Sequence, residues 1–327
     1  MVFGWGKHVY KVIEGWGKHF YSPFVDVTGV GVDSKDRVYV FIRGIDPVLV
    51  FDSEGVFLKS WGRDYFTWPH GLYVGPGDYV YCTDGDHTVR KFTTDGKLLL
   101  TLGRRNQPSE TGCVDRDYRT IKKAAGPFNC PTDVAIDKEG NLYVSDGYGN
   151  ARIHKFSSDG ELLLSWGEPG REPGQFNLPH GICVDEDGVV YVADRENSRI
   201  QLFDSEGSFL DQWEANRPTD LYIHDGSLYV TELGYETGAR LRSTSPRDRS
   251  TVARLSIFTL DGELISRWGS EYGCSHGSFF APHAVCVDSK GDIYVGEVVI
   301  TSVGSGGIVP ADCHTLQKFV RVRQMDS

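Results

Sequence analysis

No apolar run in this chain of 327 residues approaches the length needed to cross a bilayer, which excludes a membrane-spanning helix and a membrane partner. Basic residues are outnumbered, 34 Lys and Arg against 45 Asp and Glu. The resulting formal charge of −11 argues against a nucleic-acid partner, which needs a clustered basic face. C-x-x-C spacing is missing too. The seven cysteines are scattered and odd in number, so free thiols in a cytoplasmic protein are the simplest expectation. If any two bridge, the expected pair is Cys113 and Cys130, which flank an insertion. The first residues, "MVFGWGKHVYKVIEGWG", lack a continuous apolar stretch and a small-residue cleavage site, and so form no recognisable signal peptide. What is plentiful is glycine and aromatics. The 39 Gly, 17 Phe, 16 Tyr and 7 Trp suit an all-β protein with many tight turns.

The chain repeats itself. Residues 27–62 read "VTGVGVDSKDRVYVFIRGIDPVLVFDSEGVFLKSWG", and the pattern returns at 68–103, 130–167, 178–213, 217–269 and 281–322. Each copy holds four β-branched or aromatic runs separated by turn signals such as D-x-x-G and S-x-G. Four antiparallel strands per copy stack radially as propeller blades, and the pattern resembles NHL repeats. The expectation is one six-bladed propeller over 1–327. The sixth copy lacks the usual ending "LLLSWG", so an N-terminal strand at 10–17, "YKVIEGWG", is expected to complete that blade and close the ring.

Each copy opens with a slot at the entry to its first strand, the strand nearest the axis. In order the slot reads Thr28, His70, Thr132, His180, Thr219 and His283. A single histidine there would more often be a turn residue. Three at equivalent positions, about 120° apart around a six-bladed ring, converge on the axis. With 10 His in 327 residues, chance filling of three chosen slots has odds on the order of 3 in 100,000. Three imidazoles with a vacant fourth position form the ligand set of a catalytic zinc site, or of another divalent transition metal. The second strands end in Asp84, Asp146, Asp194, Glu232 and Glu297, most of which are expected to cap turns or take backbone amides. Blade one instead has "VFIRG", which sends Arg43 toward the axis.

The motifs "VFIRG", "WPHGL", "GRRNQPSE", "PTDVAID", "VSDGYGNARI", "WGEPGREPGQFNLPHGI", "VADRENSRIQ" and "APHAV" resemble, in this order, those of the peptidyl-α-hydroxyglycine α-amidating lyases. The resemblance covers most of the chain. It implies zinc on His70, His180 and His283, a catalytic tyrosine at Tyr148, a substrate-binding arginine at Arg43, and a further active-site arginine at Arg195 of the "DREN" motif. Trp68 joins Arg43 and Arg195 as a substrate-binding candidate. The residue after the third histidine is Ala284, where the family has a calcium-binding aspartate, which leaves calcium doubtful. Gly149 replaces a disulfide cysteine of the animal enzymes. Insertions at about 104–129, 234–252 and 297–313 are expected to wall one end of the channel.

The implied reaction cleaves the C–N bond of a carbinolamide, R–CO–NH–CH(OH)–COOH, to an amide and glyoxylate. An upstream hydroxylating enzyme would have to supply that small-molecule or peptide-like substrate. No redox cofactor is needed. One rival keeps the metal but makes the protein a zinc hydrolase or hydratase, with metal-bound hydroxide as nucleophile. Another is a non-catalytic NHL scaffold for a protein partner, which predicts no bound metal.

Overall fold

Short D-x-x-G turns set the rhythm of the structure. In the first, Asp52 accepts hydrogen bonds on its carboxylate from the amides of Glu54 and Val56, at 3.0 and 2.8 Å, and Gly55 then turns with φ +87°. Asp204 repeats the arrangement with Glu206 and Ser208. At the partner glycine, Gly207, an added Cβ would lie 2.8 Å from the Trp166 ring, so only glycine lets the turn pack against that indole.

The computed structural model describes residues 1–17, 26–233, 252–269, 273–303 and 313–322. Its fold is a six-bladed all-β propeller with four antiparallel strands per blade. The second blade is typical: Pro69–Gly75, Tyr79–Asp84, Thr88–Phe92 and Leu98–Gly103, hydrogen-bonded in that order. In the sixth sheet His8–Ile13 pairs antiparallel with Leu316–Arg321, joining Tyr10 to Arg321 and Ile13 to Lys318. The N-terminal strand thus completes the last blade as expected, although it lies at His8–Ile13 rather than 10–17. A fifth strand, Val2–Trp5, pairs with it and covers the edge that a four-stranded sheet would leave open.

The described residues fall into two compact units. One takes its residues from 61–221. Its core joins neighbouring blades face to face: Tyr81, Leu102, Phe128, Val144 and Phe156 in one cluster, and Tyr143, Ile153, Phe176, Val192 and Phe203 in the next. The other unit takes its residues from 1–60 and 222–327. There Val40, Phe51, Cys286 and Tyr294 pack together, as do Tyr10, Tyr229, Ile257, Trp268 and Phe319. These interlocked faces remove large aromatic areas from water and are the main favourable term in folding.

Cys82, Cys113, Cys130, Cys183 and Cys286 are free, in line with the expectation, but one bridge forms between cysteines not expected to pair. Cys274 and Cys313 form a disulfide, whereas Cys113 and Cys130 are both free. The pairing joins two segments that the repeat pattern treats as unrelated connections, so spacing alone gave no sign of it. The inference of a cytoplasmic setting from free thiols loses its support. Among the described residues, no helix is long and apolar enough to cross a membrane. Insertion 104–129 is fully described, while 234–252 and 297–313 lie mostly outside the described residues. The start of the last one forms a five-residue helix, Val299–Val303.

Candidate metal centre and active site

The residue before each slot explains the slot's geometry. Pro69, Pro131, Pro179 and Pro282 open their strands, a place where the missing N–H costs nothing. Just after each proline the pairing with the second strand slips: between Pro69 and Leu72, Pro131 and Asp133, Pro179 and Ile182, and Pro282 and Ala284. The slot residue therefore sits in a β-bulge, the device by which a strand re-aims one side chain. Leu178, two residues before His180, adds a left-handed turn at φ 67°. The strand-ending acids secure this entry. Asp84 accepts from the amides of Thr67 and Trp68, Asp194 from that of Asn177, and Glu297 from those of Phe280 and Ala281. Burial, together with the charge of Asp86, pushes the Asp84 carboxyl up to about 6.

The alternation of histidine and threonine has a direct structural reason. His70 Nδ1 lies 2.6 Å from the carbonyl oxygen of Thr132, His180 Nδ1 2.6 Å from that of Thr219, and His283 Nδ1 2.9 Å from that of Thr28. Each histidine thus leans on the backbone of the threonine slot in the following blade. A carbonyl oxygen only accepts, so Nδ1 must carry the proton and Nε2 is left as the lone-pair donor. The Nε2 atoms of His70 and His180 are buried. The three histidines are buried, and their ligand atoms lie within 4.8 Å of one another. A backbone carbonyl on one ring nitrogen and a neutral second nitrogen facing inward is the usual outer support of a metal-binding imidazole. His70, His180 and His283 could hold a metal ion, and they fit one.

Tyr148 stands beside two of these rings, with centroids 5.1 Å from His70 and 5.8 Å from His180. Its backbone is hemmed in on both sides. An added Cβ at Gly147 would come within 2.0 Å of the Pro179 oxygen, and one at Gly149 within 2.1 Å of Asn129 Oδ1. The "DGYG" glycines are thus required by close approach, and they fix where the phenol points. Arg195 donates from Nη1 to the Tyr148 hydroxyl at 3.2 Å. Its Nε also donates to Glu196 at 3.0 Å, and Arg217 donates to the same carboxylate oxygen at 2.9 Å. All three charged groups are buried, so Glu196 compensates two guanidiniums largely removed from water. Trp68 packs edge-on against Tyr148 at 5.4 Å and tilted against His70 at 5.5 Å. Arg43 is half-buried, bound to Asp26 at 3.3 Å and to Thr301 Oγ1 at 2.7 Å. Burial raises the Asp26 carboxyl, and Arg43 offsets part of that rise.

Several neighbours of Tyr148 were not foreseen from sequence. Glu196 and Arg217 are one: a buried charge pair has no signature when its partners lie in different blades. The others come from insertion 104–129. Thr111 donates from Oγ1 to the Gly149 carbonyl at 2.5 Å, and Asn129 Nδ2 donates to Thr111 Oγ1 at 3.1 Å. Arg116 lies over the Trp68 ring, 5.0 Å from its centroid. The insertion's length marked it as a wall, yet nothing in its pattern singled out those side chains.

A family model described as NHL repeat matches residues 128–156 and 176–203, which overlap blades three and four. Peptidyl-alpha-hydroxyglycine alpha-amidating lyase 1 of Drosophila melanogaster is 32% identical over 266 residues, covering 73% of this chain and 44% of that protein. The chain therefore spans less than half the length of that lyase. NHL repeat-containing protein 3 of Mus musculus is 33% identical over 290 residues, covering 82% of this chain and 76% of that protein. Among solved structures, virginiamycin B lyase from Staphylococcus aureus aligns with a TM-score of 0.59 at 13% identity, covering 96% of this chain and 100% of that one. At such identity the likeness speaks for the fold alone. The chain belongs to the NHL-repeat family of propellers, with relatives that carry both the amidating-lyase and the NHL repeat-containing protein 3 names.

Proposed function

We propose that the protein is a metal-dependent carbon–nitrogen lyase acting on an N-acyl-α-hydroxyglycine. The observation that carries this reading is the three-histidine set with Tyr148 against two of its rings and Arg195 on the Tyr148 hydroxyl. His70, His180 and His283 would hold the metal, zinc being the ion that a neutral imidazole set suits best. When bound, such an ion supplies a Lewis acid that acidifies the substrate hydroxyl.

The chain's own groups manage the proton and the charge. The reaction breaks the bond between the amide nitrogen and the carbinol carbon and turns the carbinol C–O into a carbonyl. One proton leaves the hydroxyl oxygen and one must reach the departing nitrogen, so products and substrate balance. Tyr148 takes and returns that proton at its phenolic oxygen. Arg195, donating to the same oxygen, holds the phenol in position. Arg43, oriented by Asp26 and Thr301, is the anchor for the substrate carboxylate. The glycines beside Tyr148 hold the phenol in place before substrate arrives, which is where an enzyme gains most from rigidity.

The test is release of glyoxylate from N-benzoyl-α-hydroxyglycine, abolished by a chelator and restored by zinc. Tight metal binding with no glyoxylate from several acyl groups would instead favour a hydrolase or hydratase at the same histidines. A protein that takes up no metal would favour a binding scaffold.

A further inference from the structure

Insertion 104–129 delivers a third arginine to the aromatic pair beside the histidines. Trp68 meets His70 and Tyr148, and Arg116 lies over its ring at 5.0 Å. Stacking engages the face of a guanidinium and leaves its in-plane N–H groups open, the donors that grip a carboxylate two at a time. Arg116 is exposed and forms no ion pair among the described residues. By contrast, Arg195 and Arg217 already share Glu196.

Its placement is built in. Asp115 and Arg116 both have left-handed backbones, at φ 51° and 56°, a conformation that two successive non-glycine residues adopt only when the surroundings hold them. What holds them is visible on either side. Val114 donates from its amide to Thr120 Oγ1 at 2.8 Å, and Asp117 caps the short turn Tyr118–Thr120, whose Tyr118 is buried. Thr111 and Cys113 tie the arm to the carbonyls of Gly149 and Tyr148, at 2.5 and 3.7 Å. The arm and the tyrosine loop therefore share one hydrogen-bonded frame.

We propose that Arg116 is a substrate-recognition residue for a carboxylate on the acyl part of the substrate, so that the favoured substrates are dicarboxylic N-acyl-α-hydroxyglycines. This rests on, and narrows, the lyase reading above. The glyoxylate-forming carboxylate is bonded directly to the reacting carbon and so must lie close to Tyr148. Arg116 stands a full indole ring further out, where only a group several bonds away can meet it. That group belongs to the acyl chain.

The experiment compares N-succinyl- with N-benzoyl-α-hydroxyglycine as substrates for the wild type, Arg116→Gln and Arg116→Lys. The ratio of kcat/KM, succinyl over benzoyl, should exceed one in the wild type. It should fall roughly tenfold to a hundredfold in Arg116→Gln, the scale of a charge-assisted hydrogen bond, and recover in part in Arg116→Lys. An unchanged ratio would overturn the proposal. Calorimetric titration of chelator-treated protein with glutarate gives a readout without turnover: binding weakened by Arg116→Gln supports the subsite, and equal affinity overturns it. If neither substrate yields glyoxylate the lyase reading fails, and the glutarate titration still decides the fate of the subsite.

Discussion

His70 Nδ1 and the Thr132 carbonyl oxygen approach to 2.6 Å, and this bond fixes the proton on the side of the ring away from its neighbours. The same contact recurs for His180 with Thr219 and His283 with Thr28. Every histidine slot is thus served by the backbone of a threonine slot. That backbone is there whether or not a metal binds. Replacing His70, His180 or His283 singly by Ala should cut metal content from about one ion per chain to a small fraction, because two imidazoles bind far more weakly than three. The far-UV circular dichroism should stay that of the wild type. Retained metal in any double His→Ala variant would contradict the assignment.

Glu196 stands between Arg195 and Arg217, all three buried. Changing it to Gln removes the negative charge that the two buried guanidiniums share. The expected loss of stability is about 3–5 kcal/mol, the usual cost of breaking a buried pair by removing one partner. Chemical denaturation would read it as a lower midpoint at an unchanged slope. A loss below about 1 kcal/mol, the worth of an exposed pair, would show that water reaches the triad.

His314 offers a pH test. Burial opposes its protonation, but the Glu297 carboxylate at 3.0 Å and the carbonyls of Ser278 and Cys274 outweigh burial, so its pKa lies above the ordinary histidine value. A raised folded-state pKa means stability that is fully present below the unfolded value of about 6.5 and lost as pH rises through the folded one. Melting temperatures of the wild type should therefore decline on going from pH 6 to pH 9 by more than those of His314→Gln. Parallel declines would dismiss the ion pair as a contributor.

The neighbouring disulfide closes a sequence separation of 39 residues. In the chain-entropy account a loop of that size is worth about 3–4 kcal/mol. Reduction of Cys274–Cys313 should lower the melting temperature measurably, while alkylation of the native protein should leave these two cysteines unlabelled. Full labelling of Cys313 in native, unreduced protein would remove the bridge from the account.

Much of the architecture could be read in the residues, because it is carried by local chemistry. D-x-x-G turns such as Asp52–Gly55 and the period of the repeats announce four strands per blade. The Pro-His and Pro-Thr pairs mark strand entries, and their alternation singles out His70, His180 and His283. The bulge that turns those side chains inward was not legible, since it depends on a register slip against the second strand. Nor were contacts between distant segments. Cys274 with Cys313, Glu196 with Arg217 and Arg116 with Trp68 each join residues whose separation in sequence carries no period. Arg195, rather than Arg43, is the cation that donates to the Tyr148 hydroxyl, a pairing that follows only from where the "DREN" turn lies.

The most direct test of the central claim sets chemistry against mere metal binding at Tyr148. Tyr148→Phe removes one hydroxyl from a ring whose packing against Trp68, His70 and His180 can stay as it is. Zinc-loaded wild type and Tyr148→Phe would be compared for metal content and for glyoxylate released from N-benzoyl-α-hydroxyglycine. The account predicts equal zinc in the two proteins and turnover lower in the variant by roughly a hundredfold or more, the scale of a positioned acid or base. Wild-type rates of glyoxylate release from Tyr148→Phe would contradict it.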